Sequence, residues 1–302
     1  MQNVFSSITE GFSKILKWHT MKYALIAGIV SILIWSIIGA LFWDNLIVLS
    51  AKILELMPFS MVRSNGAWIL SAFIWFQLVL MSFAIIYALF GNFILQKISK
   101  DKFSKFAFYT IFLSALFWGI VWFFSNDYIY NQLLKLFTWL PFETVENGVG
   151  ALIALYIIYN AIIITILFFA SIFSEPLIVS IYNNVKKENI FKSLKWTIKD
   201  TLIFIVVSIV VFPILFIPIV NILVQLLLWI WLFKDTISMD ALYLTNSDKS
   251  ILKEHKVAIY FIMTFAVILN FLPLLNIFAP FFAEIAMFSY LKNINIKGEK
   301  DD

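Results

Sequence analysis

The sequence predicts an all-α integral membrane protein, and three observations lead to this fold class. Hydrophobic residues make up 62% of the 302 residues and charged residues only 13%, whereas a soluble domain is about half apolar and about a quarter charged. Several uncharged apolar runs reach the roughly 20 residues that a helix needs to cross a bilayer. The alternation of a barrel strand is absent, and backbone groups in lipid must be paired within a segment, so we expect helices.

The first element is predicted to be an amphipathic helix over residues 1–21. Apolar residues recur there at spacings of three and four, among them Val4, Ile8, Phe12 and Ile15, with polar residues between them. A helix with this pattern is suited to lie in the headgroup layer of a membrane.

Four long spans are predicted to follow, over residues 22–43, 67–95, 105–125 and 148–174. The two halves of this region resemble each other at an offset of 83 residues. The offset pairs Lys22 with Lys105, Trp35 with Trp118, Asp44 with Asp127 and Pro58 with Pro141. We therefore predict two parallel copies of a span–loop–span unit, over residues 22–96 and 97–175.

The basic residues predict the topology. Every Lys and Arg except Lys52, Arg63 and Lys135 lies in one of five segments, namely residues 1–22, 97–105, 175–200, 234–256 and 292–302. The positive-inside rule places these segments and both termini in the cytoplasm and places residues 44–66 and 126–147 outside. Within the cytoplasmic part we predict an amphipathic segment over 176–200, a linker over 234–256 and a polar tail over 292–302. The net charge of +4 then reflects topology, and we expect no nucleic-acid partner.

A heptapeptide frame, Phe-x-Pro-x-x-Asn-Ile, occurs twice in the second half of the chain, as FIPIVNI and as FLPLLNI. Pro218 and Pro273 in these copies split the apolar stretches 201–233 and 257–291 into arms at or below the length of a span. Lysines stand at both ends of each stretch. These features favour two re-entrant helical hairpins, each with a proline at its tip that breaks the helix.

The asparagines of the two frames, Asn221 and Asn276, are predicted to lie at the hairpin tips. Irregular backbone at membrane depth is tolerated only when it is buried in protein or lines a watery cavity. We therefore predict that Asn221, Asn276, Pro218 and Pro273 form a candidate site at the tips, where they meet something polar.

Three charged residues complete the candidate site. Glu284 is a carboxylate inside the last apolar stretch, where charge is costly and so suggests function; the alternative is a hydrogen bond between helices or subunits. Lys22 and Lys105 open the two repeated units. Each is interpreted as an interfacial anchor or as a cation that attracts an anion to a helix N-terminus.

Composition excludes several kinds of chemistry. The chain has no cysteine, which excludes disulfides and thiol catalysis. We interpret the two histidines, His19 and His255, as solvated interfacial residues. The sequence shows no phosphate loop, metal-ligand cluster or pair of intramembrane carboxylates. We therefore expect no enzyme, no catalytic residue, no cofactor and no metal site.

Four sequence segments resemble a known family. In chain order they are the opening GFSKILKWHTMKYAL, then SEPLIVSIYNNV after the fourth span, then LFIPIVNILVQLLLWIWLFKDTISMDALYL and FLPLLNIFAPFFAEIAMFSYLK. In this order they resemble the CysZ sulfate-permease family, part of the etoposide-induced-protein group of membrane domains. The family has one long-span unit, whereas this chain is predicted to carry two. The family also has a sulfate-binding turn like Gly-Leu-Arg where this chain reads His19-Thr20-Met21-Lys22.

The resemblance implies an all-helical homo-oligomer with two hairpins that penetrate partway, and it implies sulfate uptake for cysteine synthesis. We accordingly predict a permease or channel of the bacterial inner membrane that imports a small inorganic anion, with sulfate as the first candidate. Its expected partners are that anion, membrane lipid and further copies of the chain. The alternative is a membrane scaffold or lipid-handling factor that transports nothing.

Overall fold

The computed structural model describes residues 2–55, 59–97, 100–182, 190–212 and 220–301, together with residues 185 and 214. Helix makes up 93% of the structure and no strand occurs in these ranges, which confirms the predicted all-α class. The helices are α1 Gln2–Ile15, α2 Trp18–Leu41, α3 Trp43–Glu55, α4 Phe59–Lys97, α5 Lys100–Trp139, α6 Phe142–Val179, α7 Ile190–Val211, α8 Val220–Thr245, α9 Ser250–Glu254, α10 Lys256–Asn270 and α11 Ala279–Asp301, with a 3₁₀ turn at Leu275–Ile277 between the last two.

Five of these helices, α2, α4, α5, α6 and α8, are long and apolar enough to cross a membrane. The chain is therefore a multi-pass membrane protein. Four of the five correspond to the predicted spans, and the fifth, α8, was predicted to be the second arm of the first hairpin. It continues to Thr245, through the first half of the predicted linker, because no proline or glycine interrupts the sequence there.

Both segments that were predicted to be outer loops are largely helical. The first contains α3 and the start of α4, and the second is mostly the end of α5, which runs without a break to Trp139. The predicted ends of the spans were placed where polar residues begin, and the helices continue beyond these points. Polar residues such as Asn131 and Gln132 propagate a helix outside lipid, and α5 stops only where Pro141 approaches.

The helix bounds of the two predicted units match at the offset of 83 residues. α2 and α3 together cover residues 18–55, and adding 83 gives almost the bounds of α5; the same shift takes α4 onto α6. Two hydrogen bonds also correspond. The indole Nε1 of Trp35 donates to the Thr165 hydroxyl at 2.8 Å, and that of Trp118 donates to the Ser82 hydroxyl at 2.7 Å. The first helix of each unit thus packs against the second helix of the other.

The described residues form two apolar cores. The larger surrounds the first half of α11, which α1, α6, α8 and α10 contact. The smaller core lies where α3 and the end of α5 meet the starts of α4 and α6. Its members include three pairs that the same offset relates, Leu54 with Phe137, Val62 with Val145 and Leu70 with Ile153.

Helix α1 is confirmed as an amphipathic helix, but protein rather than lipid covers its apolar side. Val4, Ile8 and Ile15 are buried, and α1 packs along α11. Gly11 permits this close approach, because a Cβ atom there would lie 2.9 Å from the ring of Phe282. The helix is therefore part of the core.

Candidate functional site

Helix α6 carries a row of polar side chains along one of its faces. Tyr156, Tyr159, Asn160, Ser171 and Ser174 lie within about 120° of one another on a helical projection, so they share one face. The tyrosines and Asn160 lie near the middle of the helix, and the serines lie about 20 Å further along, near its end. This face contacts the second hairpin and the second half of α8, which carries Asp240.

The tip of the second hairpin reaches the middle of α6. The Nδ2 atom of Asn276 donates a hydrogen bond to the hydroxyl of Tyr159 at 3.0 Å, and Asn276 is 6% exposed. The chain turns tightly before it, since Pro273 is followed by Leu274 in the left-handed region with φ 64°. A leucine rarely adopts this conformation. The side-chain amide of Asn276 thus bonds to a different helix, α6, rather than to the backbone of its own turn.

Helix α2 closes this tip from another side. A Cβ atom on Gly28 would lie 2.6 Å from Ile277, so only glycine allows the turn to pack so closely against α2. Two polar atoms near the tip are buried without a hydrogen-bond partner among the described residues. They are Oδ1 of Asn270, in the last turn of α10, and Oγ of Ser31, one turn from Gly28.

We define the tip cluster as Ser31, Tyr159, Asn270 and Asn276. A buried polar atom that lacks a partner is costly, and such atoms are commonly satisfied by ordered water. The two unpartnered atoms of the cluster, Asn270 Oδ1 and Ser31 Oγ, are therefore candidates for a hydrogen bond to water or to another small polar ligand. Tyr156 adds to this region, because its hydroxyl lies close to the side chains of Asn160 and Gln225.

A second polar group, the carboxylate cluster, lies nearer the end of α6. The Ser174 hydroxyl donates to Oε2 of Glu284 at 3.1 Å, and the Ser171 hydroxyl donates to Oδ2 of Asp240 at 2.7 Å. Both carboxylates have 0% exposure. Thr197 completes the cluster at 3.0 Å from Ser171. Two serines one turn apart on α6 thus hold carboxylates from α8 and α11.

Sequence reasoning found Glu284 but missed Asp240 and so predicted no pair of buried carboxylates. Asp240 follows Lys234 and Asp235, and this charge suggested a cytoplasmic linker. The signal that could have found it is the apolar pattern around it, ISMDALYL, which continues the helix.

The first hairpin provides less of the predicted site. Asn221 is half-buried near the start of α8. Pro218 lies outside the described residues. Lys22 and Lys105 are exposed on α2 and α5, and among the described contacts none joins either lysine to Asn276 or Glu284. The structure therefore brings Asn276 and Glu284 to α6, at its middle and near its end, and among the described contacts none joins Asn221, Lys22 or Lys105 to them.

Six lysines from four of the five basic segments lie around three aromatic rings at one end of the molecule, which we call the basic end. Lys14 and Lys292 lie 5.7 and 4.8 Å from the ring centroid of Tyr182. Lys199 and Lys249 each lie 4.8 Å from the centroid of the Trp196 ring. The same arrangement recurs at Tyr260, with Lys234 and Lys256.

Acidic groups lie among these cations. Asp235 pairs with Lys234 at 2.8 Å. Burial raises the pKa of the neighbouring Asp200 carboxyl, and the charge of Asp235 raises it further. Burial likewise raises the pKa of the Tyr182 hydroxyl, with Glu10 adding to the effect. Among the described residues no group of three His, Asp or Glu side chains is arranged to hold a metal ion.

Comparison with known proteins gives one match. Residues 95–280, more than half of the chain, match the family described as Sulfate transporter CysZ/Etoposide-induced protein 2.4. The chain belongs to this family. No curated protein and no solved structure matches the chain.

The CysZ/Etoposide-induced protein 2.4 match begins close to the start of α5 and ends just after the second hairpin tip. It therefore covers the second long-helix unit, both hairpin tips and Asp240. The first unit and Glu284 lie outside it. The polar face of α6, with Asn276 and the two serines, lies within the region that matches the family.

Proposed function

We propose that the protein is a permease for a small inorganic anion, with sulfate as the first candidate, and that it imports this anion across the bacterial inner membrane. Membership of a sulfate transporter family supports this proposal. The observation that carries it is the tip cluster, which places polar side chains and two unpartnered polar atoms near the middle of a largely apolar helix bundle. Polar groups at such depth commonly mark a transport path.

The proposed path follows the polar face of α6. It leads from the tip cluster to the carboxylate cluster and opens at the basic end, where lysines would attract an anion. Ile163, Leu167 and Ala170 occupy the same face between the two clusters and are buried. A hydrophobic segment of this kind closes a path by excluding water. Transport would then require α6 to separate from α11 or α8 along these residues.

The second hairpin is proposed to be re-entrant. Helix α10 has 15 residues, and α11 has 13 residues before Lys292, so each arm is about 20 Å long within the apolar region. This is shorter than the ~30 Å of a bilayer core. The contact of the tip with the middle of α6 supports the same proposal.

We further propose that residues 22–96 and 97–175 are two copies of one unit. Two observations support this: the helix bounds match, and a tryptophan at the same place in each unit makes a corresponding hydrogen bond. The positive-inside rule supports a cytoplasmic basic end, with both termini on that side. A homo-oligomer remains part of the proposal. Exposed apolar residues such as Phe124 and Trp139 on α5 leave room for contacts with lipid or with another copy.

Flux into proteoliposomes tests the function. Purified protein is reconstituted, and uptake of labelled sulfate is compared with uptake of chloride, phosphate and thiosulfate. We expect sulfate uptake above that of protein-free vesicles and a preference for sulfate over chloride. Protein that reconstitutes as a monodisperse species but passes none of these anions would contradict the proposal and favour a scaffold or lipid-handling factor.

A further inference from the structure

The first hairpin carries two features that the transport path does not use. One is an open apolar groove of about 340 Å³ between α7 and α8, lined by Val207, Val211, Val224, Leu227, Leu228 and Trp231. The other is the pair of lysines around Trp196, near the start of α7. Leu227 is 64% exposed, so the groove opens to the outside of the bundle.

The two features lie one below the other. Along α7, Lys199 precedes the first groove residue, Val207, by eight residues, which is about 12 Å of helix. Along α8, Trp231 precedes Lys234 by three residues, or about 5 Å. Burial raises the pKa of the Asp200 carboxyl, and the charges of Lys199 on α7 and Lys234 on α8 both lower it, so both lysines lie near this group. The two helices therefore present these cations at the same height along the bundle. The groove therefore begins about 5 Å of helix from Lys234 along α8 and about 12 Å from Lys199 along α7.

The cations are available to a ligand. Lys199 and Lys249 are exposed and approach the indole of Trp196 from α7 and from the turn before α9, respectively. Lys234 is paired with Asp235 and contributes less free charge. Tryptophan and lysine at the end of membrane helices lie at the level of lipid headgroups.

We propose that the groove and the lysines together bind one anionic phospholipid. Its phosphate would lie between Lys199 and Lys249 beside Trp196, and one acyl chain would occupy the groove between α7 and α8. Charge complementarity favours an anionic lipid over a zwitterionic one. The alignment of the groove with the lysines favours a lipid over a free phosphate, which would leave the groove uncovered.

Lipid titration of detergent-purified, delipidated protein tests the headgroup site. Bound lipid is counted by native mass spectrometry with phosphatidylglycerol or with phosphatidylcholine of the same acyl chains. A lysine near a membrane surface contributes roughly fivefold to binding of an anionic lipid, so K199Q/K249Q should weaken the phosphatidylglycerol complex by about 30-fold. The matched control K52Q/K135Q removes two exposed lysines at the opposite end of the molecule and should leave affinity unchanged. Equal affinity for both lipids, or no change in K199Q/K249Q, would overturn the proposal.

A groove variant tests the acyl chain. Val224→Trp fills the groove without touching the lysines, and we expect at least tenfold weaker phosphatidylglycerol binding. Glycerol 1-phosphate, which has the headgroup charge but no acyl chain, should bind at least 100-fold more weakly than the lipid. Comparable binding of glycerol 1-phosphate would make this a site for free phosphate and overturn the proposal. If the wild type binds no lipid and Val224→Trp dissociates an oligomer, the groove would be a contact with a second copy of the chain. That result would also overturn the proposal.

Discussion

The two hairpins carry the same Phe-x-Pro-x-x-Asn-Ile frame but lie in different surroundings. In the second hairpin every residue of α11 from Ala279 to Leu291 is buried in protein. In the first hairpin, α7 exposes a broad apolar surface that includes Val206, Ile209 and Val210. The second copy of the frame marks where the chain turns, and the neighbouring helices decide whether an arm becomes core or outer surface.

Close packing explains why α11 rather than α7 forms the core. Ala279, Ala283 and Ala286 let other helices approach α11 closely, and Gly11 on α1 does the same from the other side. Small residues drive helix association in membranes, because lipid offers no hydrophobic driving force between apolar helices. Helix α7 instead carries the β-branched residues Val206, Ile209 and Val210 on its exposed side and remains a surface helix.

The largest expected difference between the hairpins concerns large apolar side chains. Phe281→Ala in α11 removes a ring with 0% exposure, and we expect a loss of about 3–5 kcal/mol of stability because a cavity remains. Ile209→Ala in α7, at 67% exposure, should cost less than about 1 kcal/mol. Unfolding of both variants by SDS titration in mixed micelles measures the difference. Equal losses would show that α7 is as enclosed as α11.

The sequence predicted the helical class, the approximate spans and the turn at Pro273, because apolar run length and proline are local signals. It could not predict which hairpin is enclosed, since residues that face lipid and residues that face protein are both apolar. It also missed Asp240, because only the tertiary contact with Ser171 distinguishes a buried carboxylate from one in a linker. The partner of Asn276, Tyr159, lies 117 residues away and left no local signal.

A smaller difference is expected between the two tip asparagines. Asn276→Ala removes the hydrogen bond to Tyr159 and leaves the phenol buried, which should cost about 1 kcal/mol. Asn221→Ala, at a half-buried position, should cost less than half as much. A double-mutant cycle with Tyr159→Phe isolates the bond. Additive effects of Asn276→Ala and Tyr159→Phe would show that the two side chains do not interact.

The smallest expected effect concerns Asp200 at the start of the first hairpin. Its raised pKa means that the folded protein holds this proton more tightly than the unfolded chain does, so stability falls as the pH rises above the ordinary value of 3.8 towards the folded pKa. Asp200→Asn removes this cost and should raise Tm slightly at pH 7. The gain should shrink as the pH is lowered, because the wild-type carboxyl then takes up its proton. A gain that is constant with pH would contradict this account.

The central claim is that the tip of the second hairpin lies on the anion path, and one measurement tests it most directly. Sulfate uptake into proteoliposomes is measured for Asn276→Asp and for Asn221→Asp, after size-exclusion chromatography has shown that both variants assemble. Two like charges about 4 Å apart repel by roughly 4 kcal/mol at an effective dielectric constant near 20, so Asn276→Asp should slow sulfate uptake at least tenfold at pH 7.5. Uptake should recover relative to wild type at lower pH, as the introduced carboxyl becomes neutral, and Asn221→Asp should have the smaller effect. Normal uptake by assembled Asn276→Asp protein would contradict the claim.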